Sequence, residues 1–331
     1  MHKNILVVGA SHYGLTISYY LKQQGKDFLI LEKNDRVGDN WRQRFESMKL
    51  FSPAKYATLP GLPIALDDDA RPTKNQMADY NERYIDHLDI PVLTNVEVKS
   101  ISLADNKYVV KTDQGIFTAD MLIMANGMRE NPVIPQWIHK LAVPSIHLKK
   151  YRNPVSVKGK KVLVSGNGNS SAQIAAELIK YFEVEWARDP KIKHTPLYVL
   201  GKHIHWWKEK IKWNKNTTSE AQPIFICDDL KSKLKKVTKR SKVEDANGSL
   251  VAFDDGTSAQ YDFIIFSDGY DPDYNLINIP HFEIDLIQLR NDRGIASIPG
   301  LFFIGVPYQR SHHSLNPNIA LDDVRYILDH I

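Results

Sequence analysis

The sequence predicts an α/β fold made of two doubly wound units, the second inserted into the first. Two observations support this prediction. A strand, a glycine-containing turn and a helix follow one another twice along the chain, and each set is followed later by an apolar strand that ends at a small-polar-Gly turn. Repeated strand-turn-helix units of this kind are typical of parallel sheets covered by helices, so both units are predicted to be Rossmann-like.

The first pattern runs from Ile5 to Leu21. Its apolar spacing predicts a buried strand over residues 4–8 and a helix over 14–24. The turn between them has the form Gly-x-Gly-x-x-Gly, except that Ser11 replaces the second glycine. A Cβ there would cost about 1 kcal/mol if the position needs a positive φ, although the hydroxyl could offset this cost by hydrogen-bonding a phosphate oxygen.

The strand that follows the first helix ends at Glu32. An acid at this spacing after the turn is suited to accept hydrogen bonds from a ribose 2′-hydroxyl. The alternative is that Glu32 is an ordinary acid at the end of a strand.

The second pattern has a strand over residues 162–165, a turn over 166–171 and a helix over 172–179. Both leading glycines, Gly166 and Gly168, are present, and Ser171 at the third position is small enough for close helix packing. The next strand is followed by Arg188, which suits a 2′-phosphate and therefore favours NADP over NAD. A plain surface arginine remains the alternative.

Two further strands define the proposed domain organisation. Residues 120–127 and 262–270 are apolar strands, each preceded by a Gln-Gly or Asp-Gly hairpin signal. Each is predicted to be the strand that completes the sheet of its unit, after which the chain passes to the other unit. A discontinuous first domain is therefore expected over 1–150 and 271–331, with a second domain inserted at 151–270.

Composition narrows the function classes. The net charge of +4 is spread along the 331 residues apart from a run over 231–242, so a nucleic-acid partner has little support. This run is predicted to be a solvated helix face, with steering of an anionic cofactor as the alternative. Cys227 is the single cysteine, so Cys-x-x-Cys redox chemistry is excluded. The chain shows no signal-peptide pattern and no apolar run of membrane-spanning length, which favours a cytoplasmic protein with no membrane partner.

No metal site is predicted. The pairs His203 with His205 and His312 with His313 lack further ligands at a suitable spacing.

Several stretches resemble class B flavin-dependent monooxygenases, the group that includes flavin-containing monooxygenases and their small bacterial relatives. The resemblance covers nearly the whole chain, and the stretches that carry it, besides the second glycine turn, are "LEKNDRVGDNWRQRFESMKLFSPAKYATLPGLP", "ARPTKNQMADY", "ANGMRENPVIP", "IHLKKYRNP" and "SDGYDPD". It implies FAD at the first turn and NADPH at the second. It also implies a flavin C4a-hydroperoxide that oxygenates a small molecule through sulfur, nitrogen or a carbonyl carbon, with molecular oxygen as co-substrate.

The resemblance also implies site residues. The residues expected to contact FAD are Gly9, Ser11, His12, Tyr13, Gly14, Glu32, Lys33, Gly38, Trp41, Val98, Ala125, Asn126, Gly127 and Gly305. Those expected to contact NADP are Gly166, Gly168, Asn169, Ser170, Ser171, Arg188 and Gly269. Asn75 is the candidate catalytic residue, with a polar position at the start of a helix opened by Thr73 as its alternative. The helix in "NPNIALDDVRYIL" is expected to turn its N-terminus toward the flavin.

The chain departs from this family pattern in places. Asp39 replaces a glycine before Trp41. His147 and Tyr151 keep the spacing of the monooxygenase fingerprint, but Leu141 and Val143 replace its phenylalanine and glycine. Two alternatives therefore stay open: an NADPH-flavin reductase or oxidase without oxygen insertion, and a non-catalytic pyridine-nucleotide-binding accessory protein. A homodimer is a further possibility.

Overall fold

In the computed structural model the described residues are 1–127, 131–211, 224–271, 274–286, 289, 292–306 and 317–331. These residues form a mixed α/β fold around two sheets with parallel cores. None of the helices within these ranges is both long and apolar enough to cross a membrane.

The first sheet has seven strands, with the N-terminal strand near its centre. In spatial order six of them are Val92–Leu93, Phe28–Leu31, His2–Val8, Gly115–Met124, Lys107–Thr112 and Val98–Ala104. The seventh, Leu301–Phe303, also pairs in parallel with Gly115–Met124. The central strands are parallel, so the residues that follow them meet at one edge of the sheet, which is where ligands bind in such folds.

The second sheet has five parallel strands. Its spatial order is Thr238–Arg240, Glu183–Ala187, Lys161–Gly166, Phe263–Ser267 and Ser145–His147. The predicted strands at 162–165 and 262–270 are confirmed. Ser145–His147 differs from the expectation, because it lies before the predicted boundary at residue 150 and yet pairs with Phe263–Ser267. Three residues are too few to give a periodicity, so the sequence carried no signal of this strand.

The short strands form hairpins and pairs outside the two main sheets. They are Asn131–Pro132 with Tyr270–Asp271, His194–Pro196 with Ile224–Ile226, Tyr198–Val199 with Lys202–His203, and the meander Val243–Asn247, Leu250–Phe253 and Ser258–Gln260. The two predicted hairpins are confirmed: one turns at Gly115 and the other at Gly256.

The helices cover the sheets. The α-helices are His12–Gln23, Asp39–Arg42, Ala54–Ala57, Lys74–Leu88, Asn169–Leu178, Ile204–Ile211, Asp228–Leu234 and Pro317–Leu328, and the 3-10 helices are Gln136–Lys140, Leu148–Lys150 and Pro154–Ser156. The predicted start at Thr73 is confirmed, because the Thr73 hydroxyl accepts from the Gln76 N–H while the Gln76 side chain accepts from the Thr73 N–H.

The basic run over 231–242 is only partly helical, which corrects the prediction of a helix face. The helix ends at Leu234 and the strand Thr238–Arg240 follows. Leu234 and Val237 are buried in the apolar core that packs on the second sheet, which we call the second core. Arg240 forms an ion pair with the buried Glu185. The apolar residues and this ion pair, rather than the run of lysines, set the local structure.

Candidate functional site

The first glycine turn packs tightly against the end of the neighbouring strand. Gly9 has a φ of 103°, and a Cβ at this position would lie 2.7 Å from the Ala125 carbonyl oxygen. A Cβ at Gly14 would lie 1.9 Å from the Gly9 carbonyl oxygen. Because only glycine fits at both positions, the turn, Ala125 and Asn126 are brought together as predicted.

Ser11 has an extended backbone, with φ −88° and ψ −171°, and is the N-cap of helix His12–Gln23. The expected strain at a positive φ therefore does not arise. Its half-buried side chain makes no capping hydrogen bond. The first amides of this helix and the Ser11 hydroxyl consequently lie at the edge where a phosphate binds in such folds.

Glu32 is buried and is held at the same turn. One carboxylate oxygen accepts the Ala10 N–H at 2.7 Å, and the other accepts the Asn34 N–H at 3.0 Å. The Val96 N–H donates to the Glu32 carbonyl, which places Val98 two residues from this contact. This buried and hydrogen-bonded position of Glu32 differs from that of an ordinary acid on the surface. The neighbouring Lys33 is exposed.

Gly305 and Tyr13 form a second close contact at this edge. Gly305 has a φ of 79°, and a Cβ there would lie 2.6 Å from the Tyr13 ring. The Tyr13 hydroxyl is buried without a hydrogen-bond partner in the described part of the chain. Burial, and next the charge of Asp323, raise the pKa of Tyr13 far above its usual range, so this phenol stays neutral. His12 packs edge-on against it, with ring centroids 5.7 Å apart.

Gly38 and Trp41 lie where the chain crosses helix Lys74–Leu88. Gly38 has a φ of 92°, and a Cβ would lie 2.5 Å from the Ala78 carbonyl oxygen. Asp39, the departure from the family pattern, does not have a left-handed backbone, and its carboxylate binds Arg42 at 3.0 Å. This explains why a residue other than glycine is accepted there. The Arg44 guanidinium lies 4.0 Å from the Trp41 ring centroid.

The two leading glycines of the second turn differ in the space around them: Gly166 has no room for a side chain, whereas Gly168 does. A Cβ at Gly166 would lie 2.6 Å from the Ser267 carbonyl oxygen, whereas no atom lies within 4 Å of a Cβ built on Gly168. Gly168 is the N-cap of helix Asn169–Leu178. Ser171 is buried, and its hydroxyl has no partner among the residues described. The turn therefore leaves both space and a buried donor at the end of the second sheet.

Other predicted residues of the second turn have distinct surroundings. The Asn169 amide oxygen accepts the Phe225 N–H at 2.7 Å, and Ser170 is half-buried beside it. Gly269 has a φ of 99° with open space at its Cβ, as does Gly127 at the first sheet, with a φ of 70°. Trp186, which the sequence analysis did not single out, donates its indole N–H to the Gly166 carbonyl at 3.0 Å and fixes the turn.

Arg188 lies beside the second turn. Its Nη1 donates to the carbonyls of Asp189 and Ile192 at 3.1 and 3.2 Å, and its guanidinium lies 5.3 Å from the Trp186 ring centroid. Its Nε is buried without a hydrogen-bond partner in the described ranges, and burial lowers its pKa. The Asp189 N–H donates to Asn167 in the turn. Arg188 is therefore half-buried, and its binding of a 2′-phosphate stays a prediction.

Asn75 is exposed in the first turn of its helix. Its neighbour Lys74 is buried instead, donates to the Arg42 carbonyl at 2.7 Å, and has a pKa lowered by burial. A catalytic role for Asn75 stays a prediction.

The two fingerprint residues are buried. The Nδ1 of His147 accepts the Lys149 N–H at 3.1 Å, and burial, with Lys149 and Lys150, lowers the pKa of His147 to about 4. Tyr151 donates to Glu177 at 2.9 Å inside the second core. Leu141 and Val143, the departures from the fingerprint, pack against the apolar cluster behind this sheet.

His203 and His205 are held by contacts with the backbone and with each other. Within the described ranges no group of three or more His, Cys, Asp or Glu residues is arranged to hold a metal ion. The Nε2 of His203 lies 3.2 Å from the Phe51 carbonyl oxygen, and its Nδ1 accepts the His205 N–H. His312 and His313 lie outside the described residues.

Comparisons with known proteins agree with this geometry. Residues 6–305 match the family described as pyridine nucleotide-disulphide oxidoreductase. An uncharacterised CzcO-like oxidoreductase of Geobacillus kaustophilus is 33% identical, with 99% of this chain and 98% of the relative covered.

Two solved structures share the fold along nearly the whole chain. A flavin-containing monooxygenase from Stenotrophomonas maltophilia superposes with a TM-score of 0.82 at 20% identity, covering 99% of this chain and 98% of that one. A bacillithiol disulfide reductase from Staphylococcus aureus superposes with a TM-score of 0.71 at 16% identity, covering 99% of both chains. The resemblance to flavin monooxygenases that the sequence indicated is confirmed at the level of the fold.

Proposed function

The chain belongs to the pyridine nucleotide-disulphide oxidoreductase family, and we propose that it acts as a FAD-dependent, NADPH-using monooxygenase. Its substrate would be a small molecule with a soft nucleophile, sulfur or nitrogen, or a carbonyl group. The observation that carries this proposal is the presence of two glycine turns, each at the carboxyl end of the parallel strands of its own sheet, in a fold shared along nearly the whole chain with a flavin-containing monooxygenase.

FAD is proposed to bind at the first turn. Gly9 and Gly14 keep side chains away from the pyrophosphate path, and the amides that begin helix His12–Gln23 supply the positive end of a helix dipole. Glu32 would accept hydrogen bonds from the ribose by exchanging its present backbone partners. The predicted FAD residues that border this edge of the sheet would complete the contacts.

NADPH is proposed to bind at the second turn. The open space over Gly168 accommodates a pyrophosphate, and the buried Ser171 hydroxyl can donate to it. Arg188 offers an unused buried N–H and a positive charge to the 2′-phosphate. The division into an FAD-binding and an NADP-binding domain is part of the proposal, with strand Ser145–His147 assigned to the second domain.

The flavin would supply the oxygen chemistry when bound, because ordinary side chains cannot activate oxygen. The chain's own residues orient the cofactors and control their surroundings. Tyr13 stays a neutral phenol beside Gly305, so it can donate a hydrogen bond there without adding a negative charge. His147 also stays neutral near pH 7, which avoids a buried cation at the end of the second sheet.

A second candidate is an NADPH-flavin reductase or oxidase that releases peroxide. It is favoured by the altered fingerprint at Leu141 and Val143. The fold is also shared with a bacillithiol disulfide reductase. A thiol step at Cys227 is disfavoured, because Cys227 is buried and burial, with Asp229, raises the pKa of its thiol.

The deciding experiment measures three quantities in one reaction of the purified chain with NADPH and oxygen. A panel of a thioether, an amine and a ketone is supplied, and NADPH consumption, oxygenated product and peroxide are recorded. Product formation that matches NADPH consumption supports the monooxygenase. Peroxide that matches consumption with every substrate supports the reductase or oxidase instead. A colourless protein that cannot be reconstituted with FAD would contradict both.

A further inference from the structure

The hairpin Tyr198–Val199 and Lys202–His203 turns through Leu200 and Gly201. Both turn residues have a positive φ, 49° and 72°, the geometry in which hairpins prefer Asn-Gly. Leucine is disfavoured in this conformation, and here its side chain is also 85% exposed. A leucine at this position neither suits the turn nor buries apolar surface in the fold. We therefore consider the exposed Leu200 side chain as a contact for a partner outside the chain.

Lysines flank this apolar tip, and the carboxylate of Asp69 interacts with Lys202 on one side of it. Tyr198 and Val199 are exposed beside Leu200. Trp207 of the following helix donates its indole N–H to the Val199 carbonyl at 2.9 Å, which docks the helix on the hairpin. The ammonium groups of Lys202 and Lys210 lie 5.9 and 6.0 Å from the Trp206 ring centroid.

Every Lys, Arg, Asp or Glu between residues 190 and 208 is a lysine. Lys191 and Lys193 are exposed before the hairpin, and no aspartate or glutamate occurs between residues 190 and 208. We define the hairpin surface as Tyr198, Val199 and Leu200 together with Lys202 and Lys210. An exposed apolar group flanked by lysines and aromatic rings is typical of segments that lie in a membrane interface.

We propose that the hairpin surface docks on an anionic lipid bilayer, with Leu200 and Tyr198 inserted among the headgroups and the lysines beside their phosphates. Three small apolar groups at a protruding tip fall well short of the roughly 800 Å² per partner that a stable protein interface buries. A symmetric contact with a second copy would also bring the same lysines together. The proposal departs from the expectation of no membrane partner, and such peripheral docking requires no spanning helix.

The test is flotation of the purified chain with two kinds of vesicle. One kind is pure phosphatidylcholine, and the other contains about one-third phosphatidylglycerol. Binding is expected only to the anionic vesicles, and it should weaken in about 0.5 M NaCl because salt screens the lysines. Leu200→Asn should weaken it about tenfold, because an inserted leucine side chain is lost. Since asparagine suits the turn, the melting temperature of this variant should be equal or higher.

Val155→Asn is the matched control. Val155 is a similarly exposed side chain, at 89%, outside the hairpin surface, so this variant should bind anionic vesicles like the unaltered chain. The proposal is wrong if the unaltered chain does not float with anionic vesicles, or if Leu200→Asn floats equally well. It is also wrong if no vesicle binding is seen and Leu200→Asn converts a dimer into a monomer, which would assign the surface to a second copy.

Discussion

Replacing Gly168 by alanine should separate nucleotide binding from folding. Gly168 has an ordinary negative φ of −99°, and a Cβ added there meets no atom within 4 Å. The folded chain therefore takes up the methyl group without movement. If the pyrophosphate of NADPH occupies this space, the same methyl group displaces it.

The expected changes in stability and in KM for NADPH follow from the surroundings of Gly168 in the folded chain alone and with NADPH bound. Alanine is a poorer N-cap than glycine by up to about 1 kcal/mol, while the loss of unfolded-state entropy returns about 0.4–1 kcal/mol. The two effects nearly cancel, so the melting temperature should change by no more than a few degrees. A phosphate that loses one charge-assisted hydrogen bond loses about 1.5–3 kcal/mol, which corresponds to roughly a 10- to 150-fold rise in KM for NADPH.

The assay is NADPH oxidation as a function of NADPH concentration, with the flavin absorbance and the melting temperature of the same sample recorded. Gly248→Ala is the control, because Gly248 also has open space but a φ of 63° in a hairpin turn. That variant should melt at a lower temperature and keep its KM for NADPH. A Gly168→Ala chain with an unchanged KM would refute the assignment of this space to the pyrophosphate.

Three further outcomes are expected. Arg188→Gln should raise the KM for NADPH about tenfold and leave that for NADH nearly unchanged, which a comparison of the two coenzymes checks. Ser11→Gly should leave FAD affinity equal or slightly higher, because the Ser11 backbone needs no glycine conformation; markedly weaker binding in a flavin titration would show that its hydroxyl matters more. Burial lowers the pKa of His203 from 6.5 to about 4, so the unfolded chain binds more protons in that window and stability should fall as the pH is lowered through it. Denaturant unfolding is measured at about pH 7 and about pH 5, and the free energy of unfolding should fall less between them in His203→Asn than in the unaltered chain. An equal fall in both would show that His203 is not the cause of the pH dependence.

The sequence predicted the parts of the fold that local patterns encode. The two strand-turn-helix units, the capping box at Thr73 and the two Gly hairpins depend on neighbouring residues, so their signals survive in a single sequence. Strand Ser145–His147 and the end of the basic run depend on distant partners instead. The first is paired by Phe263–Ser267, and the second is fixed by the ion pair of Arg240 with Glu185.

The same distinction applies to the candidate sites. Gly9, Gly14 and Glu32 meet at one edge because parallel strands end there, which the motif spacing anticipates. The conformation of Ser11 could not be read from the motif, since φ is set by the helix that begins beside it. Trp186 was missed because its hydrogen bond to the turn joins two strands that only the folded sheet makes adjacent.

The return of strand Leu301–Phe303 to the first sheet has a consequence for the order of folding. This strand pairs beside the N-terminal half of the chain, and Gly305 then closes against Tyr13. All strands of the second sheet precede residue 301 in the chain, so that sheet can pair without this strand. The first sheet, in contrast, gains its seventh strand only once residues 301–303 are available. We therefore expect stable flavin binding to come late in folding, after Leu301–Phe303 has joined the first sheet and Gly305 lies against Tyr13.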